Sequence, residues 1–275
     1  MALTLDQLRR LAEISIDGEF KRHSIDPFCQ TYPGITEEEG YAAQEIRMKL
    51  VEEKGHHVVG YKLGGTSLAK INQLKSTIYS DPNAVVPTSV ITYGRLFDYM
   101  QLAADEDLVF ETRLHPKVEP EFAFIMGEDL SGPHVTAADV IRATEAVAPA
   151  FEIIDSRFHN FKIGWRYDAL IDNTSAAAFK LGEGRLDPRK TDLNDVGMKL
   201  SLNGEYTGFG AGASIMGHPA RAVAELACAL HHAGGGLKKG DIILSGAIVA
   251  STPVKKGDAI RADFGHMGSV SMRVV

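Results

Sequence analysis

KVEPEFAF (residues 117–124) sets four apolar side chains, Val118, Phe122, Ala123 and Phe124, around two glutamates. The apolar set fits a buried strand. Side chains alternate faces along a strand, so Glu119 and Glu121 point the same way. Their Cα atoms then lie about 6.5–7 Å apart, and side chains of that length converge on a single ion. Two like charges so placed repel each other and lose hydration. A divalent cation relieves both problems, and hard oxygen ligands favour Mg²⁺, Mn²⁺ or Ca²⁺ over zinc. On spacing alone a solvated strand face explains E-x-E as well, and that is the commoner case.

A second acidic strand shifts the balance. PAFEIIDSR (149–157) buries Glu152 in an apolar run and ends on Asp155. A third carboxylate completes a ligand set that still leaves positions for water and substrate, as a catalytic Mg²⁺ requires. In VVGYKLGGTS (58–67), Lys62 closes an apolar strand just before Gly64 and Gly65. A lysine there usually reaches solvent. Turned toward the acidic cluster, it would act on a substrate oxygen or carry a proton. Arg157 and Lys162, in DSRFHNFK (155–162), follow Glu152 closely. They offer a clamp for a substrate carboxylate, the arginine in bidentate fashion, with a solvated basic loop as the alternative.

These segments belong to a chain of 275 residues, 44% hydrophobic and 24% charged, enough for a sizeable core. Its 29 basic against 36 acidic residues and the lack of a basic stripe argue against a nucleic-acid partner. Cys29 and Cys228 lack C-x-x-C spacing, so neither a disulfide framework nor a zinc site is expected, and a reducing, cytoplasmic setting is. MALTLDQLRR is no signal peptide, and no run nears the roughly 18 apolar residues of a membrane span.

Leu5, Leu8, Leu11 and Ile14 predict a helix over 3–23 with Thr4 as cap. Thr36 and Glu39 form a capping-box pattern for a second helix, with Tyr41, Ile46 and Leu50 on its inner face. Residues 72–92 read as an irregular insert of the kind that forms lids or binding loops. A helix over roughly 136–147, stopped by Pro149, separates the two acidic strands. MKLSLNGEY predicts a hairpin turning at Asn203-Gly204, and Pro219 and Gly234 bracket a last helix. LKKGDIILSGA (237–247) and VKKGDAIRADF (254–264) reuse one turn before two strands of an antiparallel sheet. The expectation is one α+β domain over 1–275, an N-terminal helical arm (1–57) on a β-rich metal-binding core (58–275).

GFGAGA (208–213) lacks the strand–helix context and downstream acid of a dinucleotide fingerprint, and reads as a loop of close backbone approach. His56-His57 and His231-His232 sit at helix ends, where adjacent rings diverge and make poor metal pairs. Trp165 reads as a packing residue.

Taken in order, YKLGGTS, VEPEFAF, AFEIIDSR, DNTS (172–175), GFGAGA, DIILSGA and the terminal GSVS resemble the fumarylacetoacetate hydrolase superfamily. Within it they are most similar to the hydratase/decarboxylase branch of catechol meta-cleavage pathways. The resemblance runs from about residue 36 to the end. It implies a mixed β-sandwich roll, Mg²⁺ or Mn²⁺ held by Glu119, Glu121 and Glu152, and an active-site lysine at Lys62. It adds Asp172 and Ser175 to Arg157 and Lys162 as substrate-binding candidates. It also implies a small dicarboxylic 2-oxo acid as substrate, a homo-oligomer, and contact with the partner hydratase or decarboxylase of the pathway.

Two activities follow from the branch. LHPKVEPE and SRFHNFK are closer to members that decarboxylate 2-oxo-3-hexenedioate (4-oxalocrotonate) to 2-hydroxypenta-2,4-dienoate, the expected activity. GHMGSVS leans toward members that hydrate that dienoate. Acylpyruvate-type C–C hydrolysis would need a His–Glu pair in the N-terminal lid, and residues 36–45 offer glutamates but no histidine. The chain departs from the branch at Gly65, where a larger apolar residue is usual, and in the apparent length of insert 72–92. Both bear on the substrate more than on the metal.

Overall fold

Two threonines start the helical arm of the computed structural model, which describes residues 2–67, 91–164 and 166–275. Thr4 caps α1 (Leu5–Lys21) and Thr36 caps α2 (Glu37–Glu52), each by the reciprocal capping box, with Gln7 and Glu39 as returning side chains. The expected inner face of α2 is rotated. Tyr41, Ile46 and Leu50 are half-buried, while Gly40, Ala43, Gln44, Arg47 and Val51 are buried. Partners explain the burial of the polar pair. Gln44 Nε2 donates to the carbonyls of Tyr93 (3.0 Å) and Leu170 (2.9 Å), and Arg47 pairs with Glu19 of α1. The greater part of insert 72–92, and Trp165, lie outside the described residues.

The strands follow in order: β1 (Val58–Gly64), β2 (Thr92–Phe97), β3 (Gln101–Leu102), β4 (Lys117–Met126), β5 (Thr144–Ile154) and β6 (Ala176–Leu181). After them come β7 (Gly197–Leu202), β8 (Glu205–Ala211), β9 (Ile242–Leu244), β10 (Thr252–Pro253), β11 (Ala259–Asp263) and β12 (Ser269–Arg273). Helices α3 (Ala137–Ala143), α4 (Arg166–Ile171) and α5 (Pro219–His232) complete the α-helices among the described residues, and short 3-10 turns lie between the elements. The larger sheet runs β2-β1-β9-β4-β5-β6-β3, with β10 against β4; the smaller runs β12-β11-β7-β8. The result is a mixed α+β fold.

Three features differ from the sequence reading. The helix expected over 136–147 ends at Ala143, and β5 begins at Thr144 with Pro149 inside it. Pairing with β4 along ten positions overrides the helical tendency of RATEAVA. The first four residues of GFGAGA are strand rather than loop, and that strand packs against Ile248 and Val249. The two Lys-Lys-Gly-Asp turns do share chemistry, since Asp241 and Asp258 accept from the amides of Lys238 (2.8 Å) and Lys255 (2.9 Å). They feed different sheets, however: β9 lies between β1 and β4, and β11 between β7 and β12.

Alternation along β4 divides the core. Phe122 and Phe124 join Phe151, Phe264 and Leu200 in a cluster between the two sheets, where the Phe122 and Phe264 rings meet edge-on at 5.4 Å. Ala123 faces the other way, with Ala148, Ala150, Phe179 and Leu244, against Ile16 of α1 and Val51 of α2. Glu119 and Glu121 share the parity of Ala123, so they project toward the arm side. Among the described residues no helix is long and apolar enough to cross a membrane.

Candidate metal centre

Strand register assembles the acidic cluster. Glu119 of β4 lies directly opposite Glu152 of β5, and Glu121 opposite Ala150, so all three carboxylates share one face. One oxygen from each falls within 4.8 Å of the others. Glu121 and Glu152 are fully buried and Glu119 is half-buried. Lys62 arrives from β1 through the sheet order: it pairs with Leu244 of β9, which pairs with Ala123 of β4. Its Nζ sits 2.9 Å from Glu152 Oε1, and it is 4% exposed. The four groups that the sequence reading singled out for metal and proton chemistry are thus brought together.

A fifth contributor escaped that reading. The amide of Gly246 donates to Glu121 Oε2 at 2.6 Å. Gly246 has φ +100°, and a Cβ there would stand 1.8 Å from Thr66 Oγ1. Only glycine lets the chain leave β9 this close to the carboxylate. Lys117, on the same face two residues before Glu119, was also missed; its Nζ stands 3.9 Å over the Phe161 ring.

The electrostatics fit a cation. Burial, then Glu152 and Glu119, push the Glu121 carboxyl well above its ordinary range. Burial pulls the Lys62 ammonium down, but Glu152, Glu119 and Glu121 outweigh it and hold it above its ordinary range. Among the described residues Glu121 Oε1 and Glu152 Oε2 meet no hydrogen-bond partner. Buried carboxylate oxygens seldom stay unpaired. Three oxygen donors, two of them with an unsatisfied atom, suit a hard divalent ion.

The other sequence candidates are placed differently. Arg157 is 2% exposed, and four of its five donors are taken inside the protein. Its Nε donates to Asp172 Oδ1 at 2.6 Å, and Asp172 is fully buried. The pair expected to bind substrate, Arg157 and Asp172, is turned inward, and its charges answer each other. Lys162 is exposed. Ser175 is buried and closes a run of three left-handed residues, Asn173, Thr174 and Ser175, at φ 50°, 51° and 62°. Such a run is strained. The Asn173 side chain pins it to β2 by bonding both the amide (2.7 Å) and the carbonyl (2.9 Å) of Arg95. The DNTS turn therefore packs on the strand pair that carries Lys62. Asp155, at the end of PAFEIIDSR, accepts from the amides of Leu114 (2.7 Å) and His115 (2.8 Å) and so fixes the approach to β4.

Known proteins resemble this chain in sequence and fold. Residues 85–275 match the model for the fumarylacetoacetate (FAA) hydrolase C-terminal domain. A 4-oxalocrotonate decarboxylase of Pseudomonas sp. (strain CF600) is 37% identical over 99% of this chain and 98% of its own length. A 2-hydroxyhexa-2,4-dienoate hydratase of Comamonas testosteroni is 36% identical over 91% of this chain and 90% of its own. Among solved structures, 4-oxalocrotonate decarboxylase from Pseudomonas putida G7, complexed with magnesium and adipate, superposes with a TM-score of 0.91 at 34% identity. That match covers 100% of this chain and 99% of the other. The carboxylate cluster thus stands in a fold and a sequence shared end to end with these enzymes, and the chain belongs to the fumarylacetoacetate hydrolase family.

Proposed function

We propose that this protein is a divalent-metal-dependent carboxy-lyase that converts 2-oxo-3-hexenedioate to 2-hydroxypenta-2,4-dienoate and CO₂. The observation that carries the reading is the buried cluster of Glu119, Glu121 and Glu152 with Lys62 against it, in a chain similar along its whole length to 4-oxalocrotonate decarboxylases. Glu119, Glu121 and Glu152 hold Mg²⁺ or Mn²⁺. When bound, such an ion supplies Lewis-acid polarisation to a 2-oxo acid.

The bond that breaks joins C5 to C6. Its electron pair forms the C4–C5 double bond, the C3–C4 pair moves to C2–C3, and the ketone pair moves onto the C2 oxygen. Lys62 holds a proton at that oxygen, and its transfer yields the dienol. Glu152 keeps the Lys62 ammonium in place, and the Gly246 amide fixes the Glu121 carboxylate. Lys162 and Ser175 enter the proposal as substrate-side groups. Arg157 and Asp172 brace the frame. The whole chain acts as one catalytic domain, with the helical arm over the metal face. A homo-oligomer is part of the proposal, supported by Tyr206 and Phe209, 61% and 66% exposed on the edge strand β8. Contact with the hydratase that consumes the dienol completes it.

Hydration of the dienoate is the second reading, favoured by the hydratase relatives. It would use the same cluster. Incubating the purified protein and Mg²⁺ with 2-oxo-3-hexenedioate and, separately, with 2-hydroxypenta-2,4-dienoate decides between them. Release of CO₂ from the first supports decarboxylation; consumption of the second alone assigns the hydratase.

A further inference from the structure

Lys180 is a buried cation that the metal centre does not use. It follows Phe179 on β6, and Phe179 lies opposite Glu152. Alternation therefore sends Lys180 to the sheet face away from the carboxylate cluster. It is 4% exposed, yet the Glu106 carbonyl, at 2.5 Å from Nζ, is its single acceptor among the described residues. A desolvated ammonium with three N–H bonds and one neutral acceptor is costly to bury. Two of its N–H bonds are left for water or for an anion.

The surroundings supply room and further charge. Lys180 lies in the wall of an open groove of about 500 Å³ beside the smaller sheet, together with the exposed residues Ser271, Arg261 and Arg273. Asp105 and Asp107 share the wall, so three cations face two acids. Asp107 is engaged by Arg273 at 3.3 Å, which leaves Lys180 and Arg261 against Asp105. The surplus is one positive charge. None of Glu119, Glu121, Glu152 or Lys62 lines this groove.

We propose that Lys180 anchors a second, metal-independent site for a small oxyanion, a carboxylate or a phosphate, on the face opposite the metal centre. The ammonium supplies charge-assisted hydrogen bonds at the floor, Ser271 a hydroxyl at the wall, and Arg261 a longer-range field. Substrate and product of the proposed reaction are themselves carboxylates, so the site would be filled when either accumulates.

The test uses full-length protein stripped of metal on a chelating resin, titrated calorimetrically at constant ionic strength with acetate in one arm and inorganic phosphate in the other. Saturable binding of one anion per chain is expected in at least one arm, and the stronger arm identifies the source. Lys180→Met should weaken it about 10- to 100-fold, the worth of a charge-assisted hydrogen bond. Glu119→Gln should leave it unchanged. Ser271→Glu, at an exposed wall position, should abolish it without loss of thermal stability. The proposal is overturned if the wild type shows no saturable binding beyond chloride. It also falls if Glu119→Gln removes the binding, which would place the anion at the metal centre. Should Lys180→Met fail to fold, full affinity in Ser271→Glu overturns it.

Discussion

Replacing Glu121 with Gln should move stability in opposite directions with and without metal. Glu121 is fully buried, with Glu119 and Glu152 on one side of the ledger and Lys62 on the other. Two unit charges 4.8 Å apart repel by about 3.5 kcal/mol at an effective dielectric near 20. The attraction to Lys62 cancels roughly one of the two repulsions. The half-exposure of Glu119 and partial protonation of Glu121 trim what is left to about 1–3 kcal/mol. Gln keeps an oxygen to accept from the Gly246 amide, so that bond survives. The metal-free variant should therefore melt higher than the wild type, by roughly 2–12 °C at about 2–4 °C per kcal/mol. Saturating Mg²⁺ reverses the order. At one hundred times its dissociation constant it adds about 2.7 kcal/mol to the wild type, and much less to a variant short of one charged ligand. Melts of both proteins, metal-stripped and Mg²⁺-loaded, make the comparison. A variant that melts lower without metal and gains as much from Mg²⁺ as the wild type would refute the cluster as a metal site.

Three further outcomes follow from the same geometry. Because the Glu121 carboxyl is pushed well above its ordinary 4.5, the stability its neutral form lends is complete below that value and is lost as pH rises through the raised one. The metal-free gap between Glu121→Gln and wild type should widen with rising pH, and so should the Mg²⁺-induced shift in Tm; a pH series of melts reads both. Gly246→Ala places a methyl where Thr66 Oγ1 stands and forces φ +100° on alanine. It should cost about 2–4 kcal/mol in chemical denaturation and weaken Mg²⁺ binding at least about tenfold by withdrawing the amide from Glu121. Arg157→Met strands the fully buried Asp172 and should cost about 3–5 kcal/mol while KM stays near the wild-type value. A raised KM with stability intact would return Arg157 to the substrate.

The metal cluster was legible because it rests on the shortest-range rule of sheet structure. A period of two fixes Glu119 and Glu121 on one face before any fold is known. A glutamate inside AFEII cannot stay buried alone, so Glu152 also announced itself. Lys62 was only half legible. Its strand was clear, but its direction depends on β9 slipping between β1 and β4, a placement nearly 180 residues away in the chain. Gly246 was hidden for a different reason, since it acts through its amide and through the missing Cβ, and no side chain signals either. The end of α3 was misjudged because RATEAVA leans helical until the pairing of β5 with β4 at ten positions overrides it.

Arg157 shows where nearness in sequence misleads. It follows Glu152 by five residues, and that nearness suggests the same site, although an odd offset on a strand would already turn it to the other face. The strand ends at Ile154, however, and the chain turns. Beyond the turn Arg157 meets Asp172, while Asp155, two residues before it, holds the amides of Leu114 and His115 at the start of β4. One short segment therefore ties the end of β5 to the beginning of β4 and to the DNTS turn against β2. Those are the strand ends nearest Glu119 and Glu152, whose carboxylates repel unless an ion holds them. A pair of strands carrying that repulsion needs clamping from outside the pocket. The buried Arg157–Asp172 pair and the Asp155 bonds supply the clamp without placing another charge against the metal, and that is why a cation so close in sequence to Glu152 faces away from it.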